Sequence, residues 1–360
     1  MSLIEFELKE VRKLCENVIE QSTLISCEES IIRVDIAQTA SRRLTICLRF
    51  PKEDYPSQSL LIELKSKTLN DKILENLTKT LEDHCKGNLL GKPQILPLLK
   101  FLSKTLNENP LCICYDEVVA LKQLCVGTQS EIKLKQKKTS VGLNARAEKY
   151  YFKLDAFIPS DYPHSRPEWT SFESNFPDML TRYLNGQAKE IVRRCIEPPL
   201  RQVKDAPPFT VRPSLEKAFS FIIKATHEFH SELCHVCKKK CLPKNPEDIV
   251  TDENDDLYVE RVFCGHIYHS GCLKKYFSEP PFPEGGKVCL ADKKHARPDG
   301  LGSNMSKLKG NNSTQKKEIK GCGQRLMHDK WALDPKKAEQ RWAHKKARAR
   351  ELEEVEDFFK

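Results

Sequence analysis

Apolar residues recur along the first third of the chain in two rhythms. Leu3, Leu8, Val11, Leu14, Cys15, Val18 and Ile19 share one face at helical spacing and predict a helix over 3–21. Short extended stretches follow at 30–37, 42–50 and 60–64. The helical rhythm then returns at 70–85 and 95–106. A similar plan starts again after residue 110. It is helical over 111–124, extended over 131–135 and 146–157, and helical over 174–196 and 213–230. Each copy carries an aromatic–proline segment, Phe50-Pro-Lys-Glu-Asp-Tyr55-Pro56 in the first and Phe157-Ile-Pro159-Ser-Asp-Tyr162-Pro163 in the second. A proline biases the residue before it away from helix, so the segment at Tyr55 is extended or a turn. The two segments form an internal repeat. They predict an α+β domain over 1–107 and a second over 110–232.

The pattern changes at residue 234, where metal-ligand spacings take over. Cys234-His-Val-Cys237 is followed by Cys264-Gly-His266-Ile-Tyr-His269-Ser-Gly-Cys272, and then by Cys289 and Cys322. Zinc takes four such ligands tetrahedrally, and a site with all four filled is structural. Eight ligands therefore predict two closed sites and two zinc ions. A two-residue gap lets one tight turn present two ligands to one metal. Cys234, Cys237, His269 and Cys272 are assigned to one ion on that ground, and Cys264, His266, Cys289 and Cys322 to the other. The pairs interleave, which braces a segment with a small core.

Composition narrows the picture. The 360 residues carry a net charge of +9 and 39% hydrophobic residues, enough for modest cores in two or three domains. The acidic N-terminus and the lack of a long apolar run argue against secretion, membrane spanning and a membrane partner. Seven of the 15 cysteines are scattered between Cys15 and Cys125, often among apolar neighbours. They read as free thiols in a reducing compartment, cytoplasmic or nuclear. The acidic run Glu247–Asp256 reads as a solvated loop. Residues 290–321, with eight basic and three acidic residues and few apolar anchors, read as a disordered insertion. The stretch 335–350 predicts a basic helix within a charged tail over 334–360. A nucleic-acid contact through these basic segments is the third choice, since no base-reading motif accompanies them.

The Cys-x-His-x-x-His-x-x-Cys core resembles that of RING fingers with two central histidines, over a domain at 233–333. In that family the last two ligands are normally two residues apart, a spacing that would place Asp292 eighth. Cys322 is preferred because thiolate is the softer ligand. The Tyr-Pro turns resemble the RWD domain, a non-catalytic relative of the ubiquitin-conjugating fold marked by Tyr-Pro-x-x-x-Pro. Tyr162, Pro163 and Pro167 complete the motif, whereas the first copy has Tyr55 and Pro56 but Leu60 in the last place. Neither copy has the conjugating enzymes' His-Pro-Asn triplet or a cysteine shortly after the turn. The implied architecture is α+β: two RWD-like α/β sandwich domains, a cross-braced two-zinc RING finger and a C-terminal basic helix. The implied activity is that of a RING-type ubiquitin–protein ligase, which forms no covalent intermediate of its own. A ubiquitin-conjugating enzyme would dock on Val236, Tyr276, Phe277 and Leu290, although Phe277 reads equally as cover for the zinc core. Arg325 stands nearest to where such fingers clasp ubiquitin. The RWD-like domains would recruit a protein substrate or scaffold. The alternative is a zinc-binding scaffold without catalysis.

Overall fold

The computed structural model describes residues 3–51, 54–199, 208–283, 286–291, 322, 324–326 and 334–358. The chain divides into two compact units. One comprises Met1–Asn144, Lys153–Glu173 and Lys189–Ser220, and the other Ala145–Phe152, Ser174–Ala188 and Phe221–Lys360.

The first unit opens with helix α1 (Leu3–Val18) and strands β1 (Ser22–Cys27), β2 (Ile32–Thr39), β3 (Arg42–Arg49) and β4 (Leu61–Lys65). Helices α2 (Asp71–His84) and α3 (Ile95–Glu108) follow. The four strands pair antiparallel in chain order. Ile32, Val34 and Ile36 alternate inward on β2, as Leu44, Ile46 and Leu48 do on β3, which buries one face of the sheet. The same core takes Leu8, Val11 and Cys15 from α1, and Ile95, Leu98, Leu99, Leu102 and Leu106 from α3. Burying each such large side chain contributes about 1.5–3 kcal/mol. Helix α1 stops at Val18, earlier than its apolar spacing implies. Val18 is exposed, and Gln21 turns the chain into β1 at a φ of 59°.

The second α+β plan comprises α4 (Tyr115–Cys125), β5 (Glu131–Lys135), β6 (Ser140–Ala147), β7 (Tyr150–Phe157), β8 (Glu168–Ser174), α5 (Asp178–Ile196) and α6 (Leu215–Ser231). Its sheet has the order β5-β6-β7-β8. The extended stretch expected over 146–157 is two strands, reversed at Glu148 with φ 53°. No Asn-Gly or Asp-Gly pair marks this turn in the sequence. Strands β1 and β8 were not foreseen either. Both lie at sheet edges, and β8 is mostly exposed, so neither needs a clear apolar alternation.

One brace occurs in both plans. The Tyr55–Pro56 and Tyr162–Pro163 peptides are cis. The Tyr55 hydroxyl donates to the Glu7 carboxylate on α1, which also accepts the Gln94 and Ile95 N–H groups at the start of α3, each at 3.1 Å. The Tyr162 hydroxyl donates to Glu117 on α4 at 2.6 Å, and Glu117 accepts the Glu216 N–H at 3.0 Å. That hydroxyl also accepts the Ser214 and Leu215 N–H groups at 2.8 and 3.1 Å. In each case a carboxylate satisfies amides that a helix start leaves unpaired. Pro167 is buried and leads directly into β8.

Beyond α6 come the short strands β9 (Val259–Arg261) and β10 (Ile267–His269), then helices α7 (Ser270–Ser278) and α8 (Asp334–Phe358). Helix α8 runs past the basic stretch through the acidic residues Glu351–Asp357 and packs against α7. Among the described residues no helix is long and apolar enough to cross a membrane.

Candidate metal centre

The ligand-bearing segments fold by short-range backbone bonds. After α6 the chain doubles back, with Leu233 bridging Lys240. The Cys234 N–H donates to the Lys239 carbonyl at 2.8 Å, and the Lys238 N–H to the Cys234 carbonyl at 2.7 Å. This tight loop brings Cys234 and Cys237 together. The turn joining β9 to β10 holds Cys264 and His266, closed by the Gly265 N–H on the Val262 carbonyl at 2.8 Å. Gly265 adopts a φ of +98°, a conformation that glycine accepts without strain. His269 ends β10, and Cys272 sits in the first turn of α7. Gly271 lets α7 approach the end of the acidic loop, because a Cβ there would lie 2.6 Å from Asp256.

Cys289 and Cys322 are united by a main-chain clip. The Cys289 N–H donates to the Gln324 carbonyl at 2.8 Å, the Cys322 N–H to Ala291 at 2.6 Å and the Leu326 N–H to Lys287 at 2.8 Å. Val288 and Arg325 form an antiparallel bridge between those bonds. Asp292 and residues 292–321 of the expected insertion lie outside the described residues.

The fold gathers the eight side chains into two groups. Cys234, Cys237, His269 and Cys272 form one; Cys264, His266, Cys289 and Cys322 form the other. Within each group the ligand atoms lie within 4.8 Å of one another. Each imidazole presents Nδ1. His269 Nδ1 is 3.4 Å from the Cys237 sulfur and 3.9 Å from that of Cys272. His266 Nδ1 is 3.3 Å from the Cys264 sulfur and 3.5 Å from that of Cys289. A tetrahedral ion with metal–sulfur bonds of ~2.3 Å and metal–nitrogen bonds of ~2.0 Å separates sulfur from nitrogen by about 3.5 Å. Both groups fit such an ion.

The electrostatics divide the ligand thiols: the Cys289 bond and burial raise Cys264, and burial raises Cys272 and Cys322, whereas Cys234 and Cys289 are lowered. Hydrogen bonding from Cys241, ahead of that from His269, pushes the Cys234 thiol down to about 2. Cys264, followed by His266 and Tyr268, pushes Cys289 down to about 3. His269 is raised, chiefly by its bond to Cys234. Burial pulls His266 down, but the Cys289 thiolate outweighs it. Buried thiolates packed against imidazoles favour a cation in their midst.

Two supporting residues escaped the sequence reading. The Tyr268 hydroxyl lies 3.0 Å from the Cys289 sulfur and accepts the Leu290 N–H at 3.3 Å. Buried Cys241 sits beside Cys234, its sulfur 3.4 Å from the Ile267 carbonyl. Tyr268 stands between two ligand histidines and Cys241 four residues after Cys237, and those positions were the available signals. Such neighbours orient ligands and tune their basicity. His227, His230 and His235 belong to neither group. His230 pairs with Glu148 at 3.2 Å.

The residues expected to meet a conjugating enzyme differ in exposure. Val236 is half-buried between the first two ligands, and Leu290 is 41% exposed. Tyr276 is half-buried, donates its hydroxyl to the Val288 carbonyl at 3.1 Å and carries the Lys287 ammonium 4.5 Å above its ring. Phe277 is only 7% exposed. It fills the finger's interior and offers a partner little surface, so it leaves the expected docking set. Arg325 is exposed, with its guanidinium packed over Gly286.

The cysteines from Cys15 to Cys125 are free thiols, and Cys15, Cys47, Cys85 and Cys114 are buried. Burial raises Cys85 and Cys195, which lowers their nucleophilic thiolate fraction.

No match is found among curated proteins. Residues 4–106 match the family model of the RWD domain, a protein-interaction module of the ubiquitin-conjugation context, and this part of the chain is therefore an RWD domain.

Proposed function

We propose that the chain is a RING-type ubiquitin–protein ligase whose finger binds two zinc ions and whose N-terminal half recruits a substrate or scaffold. One observation carries this reading: two four-ligand groups whose members interleave along 234–322. That cross-brace joins an RWD domain in the same chain. Thiolate and imidazole donors at tetrahedral separations favour zinc over magnesium or calcium, which prefer oxygen. Zinc, when bound, supplies structure, because four protein ligands leave no position for a reactive water. The second α+β plan is RWD-like on this reading, because it repeats the Tyr–Glu–helix brace of the first.

Catalysis would then come from positioning alone. Val236 and Leu290 offer apolar contacts beside the two metal groups, and Tyr276 borders them. They would hold a ubiquitin-charged conjugating enzyme so that a substrate lysine attacks its thioester. Arg325 is the cation placed to steady the ubiquitin.

The test is autoubiquitination with a panel of conjugating enzymes. Wild-type protein is expected to form conjugates with at least one. Val236→Ala is expected to lower that rate about tenfold or more while zinc content stays at two ions per chain. The second reading is a zinc scaffold without catalysis. It is favoured by Tyr276, whose hydroxyl and ring face are already engaged within the finger. Absence of conjugates, and of binding to any enzyme of the panel, selects it.

A further inference from the structure

The acidic run between the first two ligand pairs is more than a solvated loop. Within the second unit it forms one wall of a cleft of about 1120 Å³. Small-ligand sites occupy roughly 300–1,000 Å³, so this volume leaves room for a peptide segment. Tyr151, Phe176 and Met179 line it from the region where β7 begins and α5 starts. Ile249, Val250 and Tyr258 line it from the loop. The loop is pinned there, since Lys149 Nζ donates to Asn245 at 2.6 Å and the Tyr150 hydroxyl to the Pro243 carbonyl at 2.8 Å.

The charge at the mouth is one-sided. Glu247, Glu253, Glu260 and Asp178 line the cleft against Lys149 and Arg182. Asp178 and Arg182 offset each other at 3.8 Å, and Lys274 reaches the Asn254 carbonyl of the loop at 3.3 Å, which leaves Glu247, Glu253 and Glu260 against Lys149 in the cleft. Asp248, Asp252, Asp255 and Asp256 extend the acidic field along the loop, which holds no basic residue from Glu247 to Asp256. A cleft with low-dielectric walls and charges of one sign focuses its field on an entering cation.

We propose that this cleft binds a peptide segment of a partner protein in which basic side chains alternate with apolar ones. The apolar side chains would rest on Met179, Ile249 and Val250, and the basic ones would face Glu247 and Glu253. The cleft needs no conjugating enzyme, so this binding stands or falls apart from the ligase activity.

The test is fluorescence anisotropy with the full chain in zinc-containing buffer. The probe is a fluorescein-labelled eight-residue peptide alternating lysine with leucine. Saturable binding is expected, weakening as salt rises. Glu247 and Glu253 are exposed, so the E247K/E253K double variant should fold. It is expected to bind about tenfold more weakly or worse, with zinc content unchanged. A lysine–glycine peptide of the same charge is expected to bind at least tenfold more weakly than the lysine–leucine one. Equal binding by wild type and the double variant overturns the proposal. Equal binding of the two peptides also overturns it, by reducing the cleft to a charged surface.

Discussion

The N-terminal domain gathers 22 buried apolar residues into one cluster, from Leu8 on α1 to Leu106 on α3. The segment that carries the two ligand groups has far less to bury. Apart from its ligands and Tyr268, its interior rests on side chains such as Leu242, Val259, Val262, Ile267, Leu273, Phe277 and Leu326. A core that small does not offset the chain entropy of ordering loops. On the proposed reading the two regions depend on different forces, burial in one and ligation in the other. The dependence should show as separate responses to separate insults.

Metal removal should separate them most sharply. A strong chelator is expected to unfold the finger and leave the RWD domain intact, with proteolysis followed by mass spectrometry mapping new cuts to residues 234–326 alone. Loss of both regions together would break the distinction. Next comes the second tetrad. Cys322→Ser is expected to lower bound zinc from two ions per chain to one, measured by elemental analysis. A value that stays at two would give the eighth place to Asp292.

The opposite insult should spare the metal. Leu102→Ala, at a fully buried position on α3, is expected to cost the RWD domain about 2–5 kcal/mol in urea unfolding. Zinc content should not change. Smaller still is the brace. Tyr55→Phe removes a donor from a buried carboxylate and is expected to cost about 1–3 kcal/mol at neutral pH. Burial holds Glu7 above its ordinary value of 4.5. The folded chain thus keeps a proton there at pH values where the unfolded chain has lost it, so this group's contribution to stability rises as pH falls toward 4.5. The deficit of the variant should accordingly shrink as pH falls from neutral toward 4.5, because the charged form is the one that lacks its partner.

What the sequence disclosed follows the same division. Strands β2 and β3 and helix α3 announced themselves because their apolar spacing answers to a single buried face. Edge strands β1 and β8 have no such face, and the reversal at Glu148 uses a residue that carries no turn signal. In the finger, the grouping of eight ligands was readable because spacing alone restricts which of them one ion can reach. The contributions of Cys241 and Tyr268 were not, because they act through contacts with ligands distant in the chain. The burial of Phe277 was half legible, as one of two equal readings, since adjacent aromatic residues on a short helix do not say which one faces inward.

The clip that carries Cys289 and Cys322 has a consequence for how this chain can vary. Its rungs are made by residues 287–291, 322 and 324–326 themselves, so the register of the last two thiols is set locally. Lengthening or shortening what lies between would leave that register alone, and doubling a connecting loop costs only about 0.6 kcal/mol in closure entropy. The last pair of thiols should therefore tolerate drift in the length between them, and a foreign sequence grafted between the rungs should leave the last group of four whole.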